Sequence, residues 1–248
     1  QLKQWMQMDG ITIPRLAMLA LVRYYREEAG PLLEQALYSE KIGVRGFALK
    51  QIVTYQITTP TMAATILNTV DLDNAFSTFE FAGEALALMN ATQRDVMWDA
   101  FTDPDTSLRA KMCAIQGMNG TAMSESEVAV LHEVITGDAY ATEYDDIYDA
   151  DSEKALEASY KKYIRWYSVA NMYHAGRQGS ETAKAHLIDY ITTDDTVVAS
   201  VAIDLIGSAG GFLSAEQTEQ AIAALDTVYS RLSTASEYIY DGDFKQWA

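Results

Sequence analysis

A block of two short apolar segments joined by a polar turn recurs three times along the chain. The three blocks span residues 32–52, 96–118 and 187–207. In each block two apolar residues lie seven positions apart across the turn: Leu37 and Val44, Phe101 and Leu108, Ile191 and Val198. Because a single helical hairpin cannot bury its apolar face alone, hairpins repeated in this way stack on one another. The recurrence therefore predicts an α-solenoid.

The composition agrees with an all-α fold. Four prolines and fourteen glycines in 248 residues provide few of the turn signals that a β-sandwich or barrel needs. No stretch reaches the roughly 18 consecutive apolar residues of a membrane-spanning helix, so we expect no membrane insertion. We predict one domain over residues 1–248, built from about five to six hairpins, with one acidic insertion.

The charge of the chain constrains its partners. Thirty-five acidic and eighteen basic residues give a formal net charge of −17. Phosphate backbones are repelled by such a surface, so the composition argues against nucleic acid as a partner. A basic protein, a divalent cation or a salty environment is more compatible with this charge. The single cysteine, Cys113, lies in an apolar run and is predicted to be a buried hydrophobe.

The second block carries the most specific pattern. In residues 97–110 an Asp103-Pro104-Asp105 turn is followed by Leu108-Arg109, and Val44-Arg45 repeats the second element. This pattern resembles the short bacterial HEAT-like repeats. The resemblance implies a right-handed stack that binds proteins or peptides, and it transfers no catalytic residues. From their position after the turns, we interpret Arg45 and Arg109 as braces that bond the adjacent turn.

Capping signals predict several helix boundaries. A helix is expected from Thr12 to about Glu28, ended by Gly30-Pro31. Ser124 and Glu127 form a capping box at the start of a helix, and Ser214 begins a final helix that ends near residue 232. A long helix is predicted over residues 152–177, and residues 233–248 form an irregular aromatic tail that either covers the last repeat or is loose.

An insertion at about residues 138–152 departs from the repeat. Its clustered carboxylates repel one another unless a cation or a basic surface neutralises them. Tyrosines recur there every four residues and supply contact area at low entropic cost. Calcium, a protein contact and an ordinary solvated loop all stay open, although the glycine and final glutamate of an EF-hand loop are missing. The predicted partner-binding residues are Tyr140, Tyr144, Asp145, Asp146, Tyr148, Asp149 and Asp151.

Catalytic signatures are missing from the sequence. A three-histidine zinc site would require His132, His174 and His186 to converge, and we expect no metal site and no other cofactor. We therefore predict a non-enzymatic scaffold or adaptor that recognises a basic protein through its concave face and the acidic insertion.

Three alternatives stay open for the function: an inhibitor or immunity-type protein that masks a cationic toxin or enzyme, a structural subunit of a larger assembly, and a helical-scaffold enzyme using paired carboxylates. The compartment is undetermined, since a start at Gln1 is compatible with a mature secreted or periplasmic form.

Overall fold

The computed structural model describes residues 1–72, 76–142, 152–208 and 211–234, which form helices and turns and no β-strand. The chain divides into two compact units, residues 1–119 and 120–248, described separately below. The helices are α1 (Leu2–Met6), α2 (Thr12–Tyr24), α3 (Arg26–Leu37), α4 (Ile42–Tyr55), α5 (Met62–Thr69), α6 (Phe76–Ala87), α7 (Arg94–Thr102), α8 (Leu108–Gly117), α9 (Glu125–Thr136), α10 (Ser152–Arg177), α11 (Glu181–Tyr190), α12 (Thr196–Ser208) and α13 (Ala215–Thr234).

In unit 1 the helices pack in two rows. Helix α3 contacts α5, and α5 contacts α7, whereas α2, α4, α6 and α8 contact one another in sequence order. Contacts between α3 and α4, and between α7 and α8, join the rows into hairpins. Large side chains that are almost fully buried fill the unit, among them Leu33, Leu37, Ile52, Ile66 and Met97. The hairpins predicted from the repeated blocks are present here.

Unit 2 has the same alternation. Helices α9, α11 and α13 follow one another in one row, and α10 and α12 pack together in the other. The central element is α10, which contacts α9, α11 and α12. An apolar cluster of Ile188, Ile191 and Ala221 joins α11 to α13, with Ile203 and Ile206 of α12 packed against it. The all-α prediction is thus confirmed for the described residues, and a single solenoid over residues 1–248 stays a prediction.

Buried arginines brace successive turns of unit 1. Arg45, 3% exposed, donates to the carbonyl oxygens of Ser39 and Leu72, one in its own hairpin and one in the next. Arg109 donates to the carbonyl of Val70, 3.3 Å away, in the turn after α5. Burying a guanidinium is costly unless its donors find acceptors, and backbone carbonyls accept hydrogen bonds from both of these side chains. The predicted bracing role of Arg45 and Arg109 is confirmed.

A third brace, in unit 2, was not predicted. Arg165 of α10 is 6% exposed and donates from Nε and Nη2 to the carbonyl of Ile135, at 3.0 and 2.6 Å. Its Nη1 pairs with a carboxylate oxygen of Asp195, in the turn between α11 and α12. The pair Ile164-Arg165 repeats the apolar-arginine element of Val44-Arg45. Because α10 begins twelve residues before Ile164, this repetition of the apolar-arginine element was not recognised in the sequence.

The prediction of one helix from Thr12 to Glu28 is wrong. The chain breaks at Tyr25, with φ −137° and ψ 48°, and a new helix, α3, continues through Gly30 and Pro31. A Cβ atom at Gly30 would lie 2.5 Å from Cγ2 of Thr59. The glycine therefore allows close packing of α3 against residues 57–59, and it does not end the helix.

The capping signals at Ser124 and Ser214 are confirmed. Ser124 and Glu127 form a complete capping box on α9, and Ser214 and Gln217 exchange the same two hydrogen bonds at the start of α13. Helix α10 has the predicted bounds, and Cys113 is fully buried. Among the described residues, no helix combines the length and hydrophobicity needed to cross a bilayer.

Candidate functional site

Of the seven predicted partner-binding residues, Tyr140 alone lies in the described part of the chain. It ends a short 3-10 turn, Asp138–Tyr140, that packs against α9 and α10, and its side chain is half-buried. The remaining six lie outside the described residues: Tyr144, Asp145, Asp146, Tyr148, Asp149 and Asp151. The acidic insertion, including its alternative role as a calcium site, thus stays a prediction.

Two of the three histidines come together in unit 2. The rings of His132 on α9 and His186 on α11 stack with centroids 3.8 Å apart, and Nδ1 of His132 lies 2.8 Å from the Tyr190 hydroxyl oxygen. Burial, followed by the proximity of His132, lowers the pKa of His186. Burial also raises the pKa of Tyr190, so the phenol stays protonated. The cluster joins α9 to α11 through aromatic stacking.

The third histidine does not join this cluster. His174 on α10 packs against Tyr173, with ring centroids 5.2 Å apart. Within the described ranges, no group of three or more His, Cys, Asp or Glu side chains is placed to hold a metal ion. His174 therefore lies apart from the His132–His186 contact, in which the lowered pKa of His186 links its protonation to stability.

Helix α10 carries an aromatic stripe that is partly buried in the core. The stripe consists of Tyr160, Tyr163, Trp166, Tyr167 and Tyr173. Tyr160 and Tyr173 are each 6% exposed, whereas Trp166 is 38% exposed and lies edge-on to Tyr167 at 4.7 Å. Tyr173 packs edge-on against Phe212, which precedes α13. The aromatic side chains of α10 thus mainly join elements within unit 2.

A candidate binding surface that sequence reasoning missed lies at the start of unit 1. Nine of the fifteen large apolar side chains that are exposed in the described chain fall within the first 42 residues. Contiguous exposed apolar patches mark interaction sites, whereas apolar side chains exposed singly do not, so the part of this set that shares one helix face is the informative one. The nine side chains are Trp5, Met8, Ile11, Ile13, Leu16, Tyr24, Tyr25, Tyr38 and Ile42.

Helix α2 presents the continuous part of this surface. Ile13, Leu16, Ala20 and Tyr24 are three or four positions apart and therefore share one face of the helix, which we call the α2 stripe. Leu16 is 60% and Tyr24 is 78% exposed. A different face of α2 is buried through Ala17, Met18 and Leu21, among others. Because both faces are apolar, the sequence did not distinguish the exposed face from the buried one.

Exposed cations accompany the α2 stripe. Arg23 donates to the hydroxyl of Tyr55, and Arg26 donates to the Tyr55 carbonyl at 2.7 Å. Arg15 donates to the carbonyl of Gly43 and lies over the ring of Phe47. None of these three guanidiniums pairs with a carboxylate among the described side chains. Each retains charge that is available to an acidic partner.

The positive character extends over the first quarter of the chain. Residues 1–60 contain seven basic and five acidic side chains, whereas the remaining residues contain eleven basic and thirty acidic ones. The overall charge of −17 thus conceals a region of opposite sign. Opposite charges on two regions steer complementary surfaces together and oppose contacts between like regions.

A cavity of about 380 Å³ lies in the same part of unit 1. A cavity of this size is within the roughly 300–1,000 Å³ of small-ligand pockets, and it also accommodates an anchoring side chain from a protein. Its apolar lining includes Met6, Pro14, Leu32, Ala36 and Val44, and its polar lining includes Lys3, Tyr38 and Lys41. The lining is therefore mixed, and the Lys41 ammonium pairs with the Asp9 carboxylate at 3.5 Å.

Comparison of the chain with protein families, characterised proteins and solved structures gave no match. The surfaces described above are therefore the basis for assigning a function.

Proposed function

We propose that the protein is a non-enzymatic protein-binding scaffold whose helical hairpins stack as a right-handed, HEAT-like solenoid. Three features support the scaffold: the two rows of helices in each unit, the recurring apolar-arginine element, and the braces that Arg45, Arg109 and Arg165 form between turns. Rigid stacks of this kind present extended surfaces to protein partners.

The observation that carries the binding function is the concentration of exposed apolar side chains in the first 42 residues. Removing apolar surface from water is worth about 25 cal/mol per Å², so an exposed set this large stabilises a complex when a partner covers it. The α2 stripe is the centre of the proposed contact. Beside it, Arg23 and Arg26 favour an acidic partner segment with its own apolar face.

The acidic insertion is proposed as a second contact, for a basic partner. Residues 120–248 contain eight basic and twenty-two acidic side chains, and Tyr140 anchors the insertion to α9 and α10. Such a contact would depend strongly on salt, because exposed charges more than about 10 Å apart are screened at 0.1 M ionic strength.

Affinity capture with the tagged full chain tests the function. The bait set includes the unaltered chain, Leu16→Glu in the α2 stripe, Val96→Glu as a matched control on α7, and a chain with residues 143–151 replaced by a Gly/Ser linker. Val96 is 38% exposed and belongs to unit 1. Captured proteins from an extract of the source organism are quantified for each bait at low and moderate salt.

We expect the unaltered chain and Val96→Glu to retain a partner protein that Leu16→Glu does not retain. A further copy of the chain itself counts as such a partner. A basic protein lost only with the linker chain at low salt would place the contact at the acidic insertion. Identical captures by all four baits, or none, would contradict the binding function. Circular dichroism of each bait confirms that the helices are retained.

A further inference from the structure

The last helix of unit 2 also exposes apolar side chains. Ile222, Leu225 and Tyr229 of α13 are 54%, 38% and 67% exposed, and their spacing of three and four places them on one face. We call these three residues the α13 stripe. An adjacent face of α13 packs through Ala221, Ala224 and Val228 against α11 and α12. The helix therefore has two apolar faces, one of them uncovered by any described residue.

The two stripes lie on helices with comparable places in their rows. Helix α13 continues the row of α9 and α11, and no described helix follows it to continue the row of α10 and α12. Helix α2 begins the row of α4, α6 and α8, and the five-residue α1 is the sole helix before it. Among the described residues, the exposed apolar faces of α13 and α2 therefore lie on the outermost long helices of their rows.

Their charges are complementary. Helix α13 contains Glu216, Glu219 and Asp226 and one basic residue, Arg231. Glu219 and Asp226 lie three residues before and four residues after Ile222, so they flank the α13 stripe. The α2 stripe is flanked instead by Arg23, with Arg26 just beyond its end. Two apolar stripes bordered by opposite charges are suited to pack on each other, whereas two copies of the same stripe bring like charges together.

We propose that the α13 stripe of one copy docks on the α2 stripe of a second copy, so that each stripe covers the exposed apolar face of the other. This inference rests on the proposed function, since it names the partner of the α2 stripe. The contact is heterologous, with different surfaces on the two sides, and such contacts generate rings or open chains of copies. The association therefore grows with protein concentration beyond the dimer unless a ring closes.

Sedimentation velocity on the full chain, from micromolar to hundreds of micromolar, tests the proposal. Leu16→Glu disables the α2 stripe, Tyr229→Glu disables the α13 stripe, and Val96→Glu is the control. Each of the first two places a charge in the centre of an apolar contact. A central contact residue is worth about 2 kcal/mol or more, which corresponds to at least a thirtyfold weaker association.

The decisive sample is an equimolar mixture of the two disabled chains. We expect each to be monomeric alone, because each lacks one of the two surfaces. In the mixture, the intact α13 stripe of the Leu16→Glu chain meets the intact α2 stripe of the Tyr229→Glu chain, so a dimer forms and cannot grow. The unaltered chain and Val96→Glu form larger species, and added salt weakens them without abolishing them.

Other outcomes overturn the inference. An unaltered chain that is monomeric throughout would mean that another occupant, such as residues 235–248 of the same chain, covers α13. Association that does not proceed beyond the dimer, and that persists in either single variant, would indicate a symmetric contact elsewhere. A monomeric chain that still captures a different protein through Leu16 would refute self-association and leave the proposed function intact.

Discussion

Replacing Arg165 by methionine tests the bracing of unit 2 most sharply. The side chain is 6% exposed, and its guanidinium bonds the Ile135 carbonyl twice and the Asp195 carboxylate once. Methionine retains much of the apolar stem and removes every donor. Hydrogen bonds that involve a charged group contribute about 1.5–3 kcal/mol, and breaking a buried ion pair costs about 3–5 kcal/mol. The Asp195 side chain is 20% exposed and so is partly hydrated after the loss.

We therefore expect Arg165→Met to lower the free energy of unfolding by about 3 kcal/mol. The matched control is Arg231→Met, since Arg231 pairs with Asp194, the neighbouring acid of the same turn, at 3.2 Å. In that pair the side chains are 48% and 100% exposed, and such pairs contribute about 0–1 kcal/mol. Urea unfolding followed by circular dichroism measures both variants. Equal losses, or a loss below about 1 kcal/mol for Arg165→Met, would refute the bracing argument.

Three further predictions follow from packing and titration. Gly117→Ala should destabilise unit 1 by about 1–3 kcal/mol in urea unfolding, because its Cβ would lie 2.5 Å from that of Leu86; an unchanged midpoint would contradict the packing. Burial and the proximity of His132 lower the pKa of His186 in the folded protein. The unfolded chain therefore binds more protons, and the free energy of unfolding falls as the pH drops below about 6.5. His186→Gln should reduce this dependence of the free energy of unfolding on pH. Burial raises the pKa of Cys113 to about 12, so a disulfide reagent at pH 8 should modify it only as the protein unfolds, and rapid modification of the native chain would contradict its burial.

Local signals in the sequence predicted local structure well. The capping box at Ser124 and Glu127 has a mechanism confined to four residues, and it is present as predicted. The apolar pairs seven residues apart located the hairpins for a similar reason, since their spacing reports the short turn between two helices. Arg45 and Arg109 were assigned correctly because each directly follows the apolar residue after a turn.

Features set by tertiary contacts were harder to predict. Gly30 precedes a proline, which favours a helix end locally, yet its role depends on Thr59, almost thirty residues away. The bracing role of Arg165 was not predicted because α10 begins well before the position at which the apolar-arginine element recurs. The α2 stripe was missed because an apolar residue is compatible with a core or with an interface, and only packing distinguishes them. The partner-binding role predicted for the tyrosines and aspartates of the insertion stays a prediction, both for Tyr140 and for the six residues outside the described part of the chain.

The most direct measurement is a photo-cross-link from position 16 of the full chain. A photoreactive amino acid replaces Leu16, the protein is irradiated at a concentration where larger species sediment, and the linked peptides are identified by mass spectrometry. A matched chain carries the same group at Val96. The account predicts links from position 16 to residues 215–229 of another copy and none from position 96. Links confined to one chain, or no link from position 16, would contradict it.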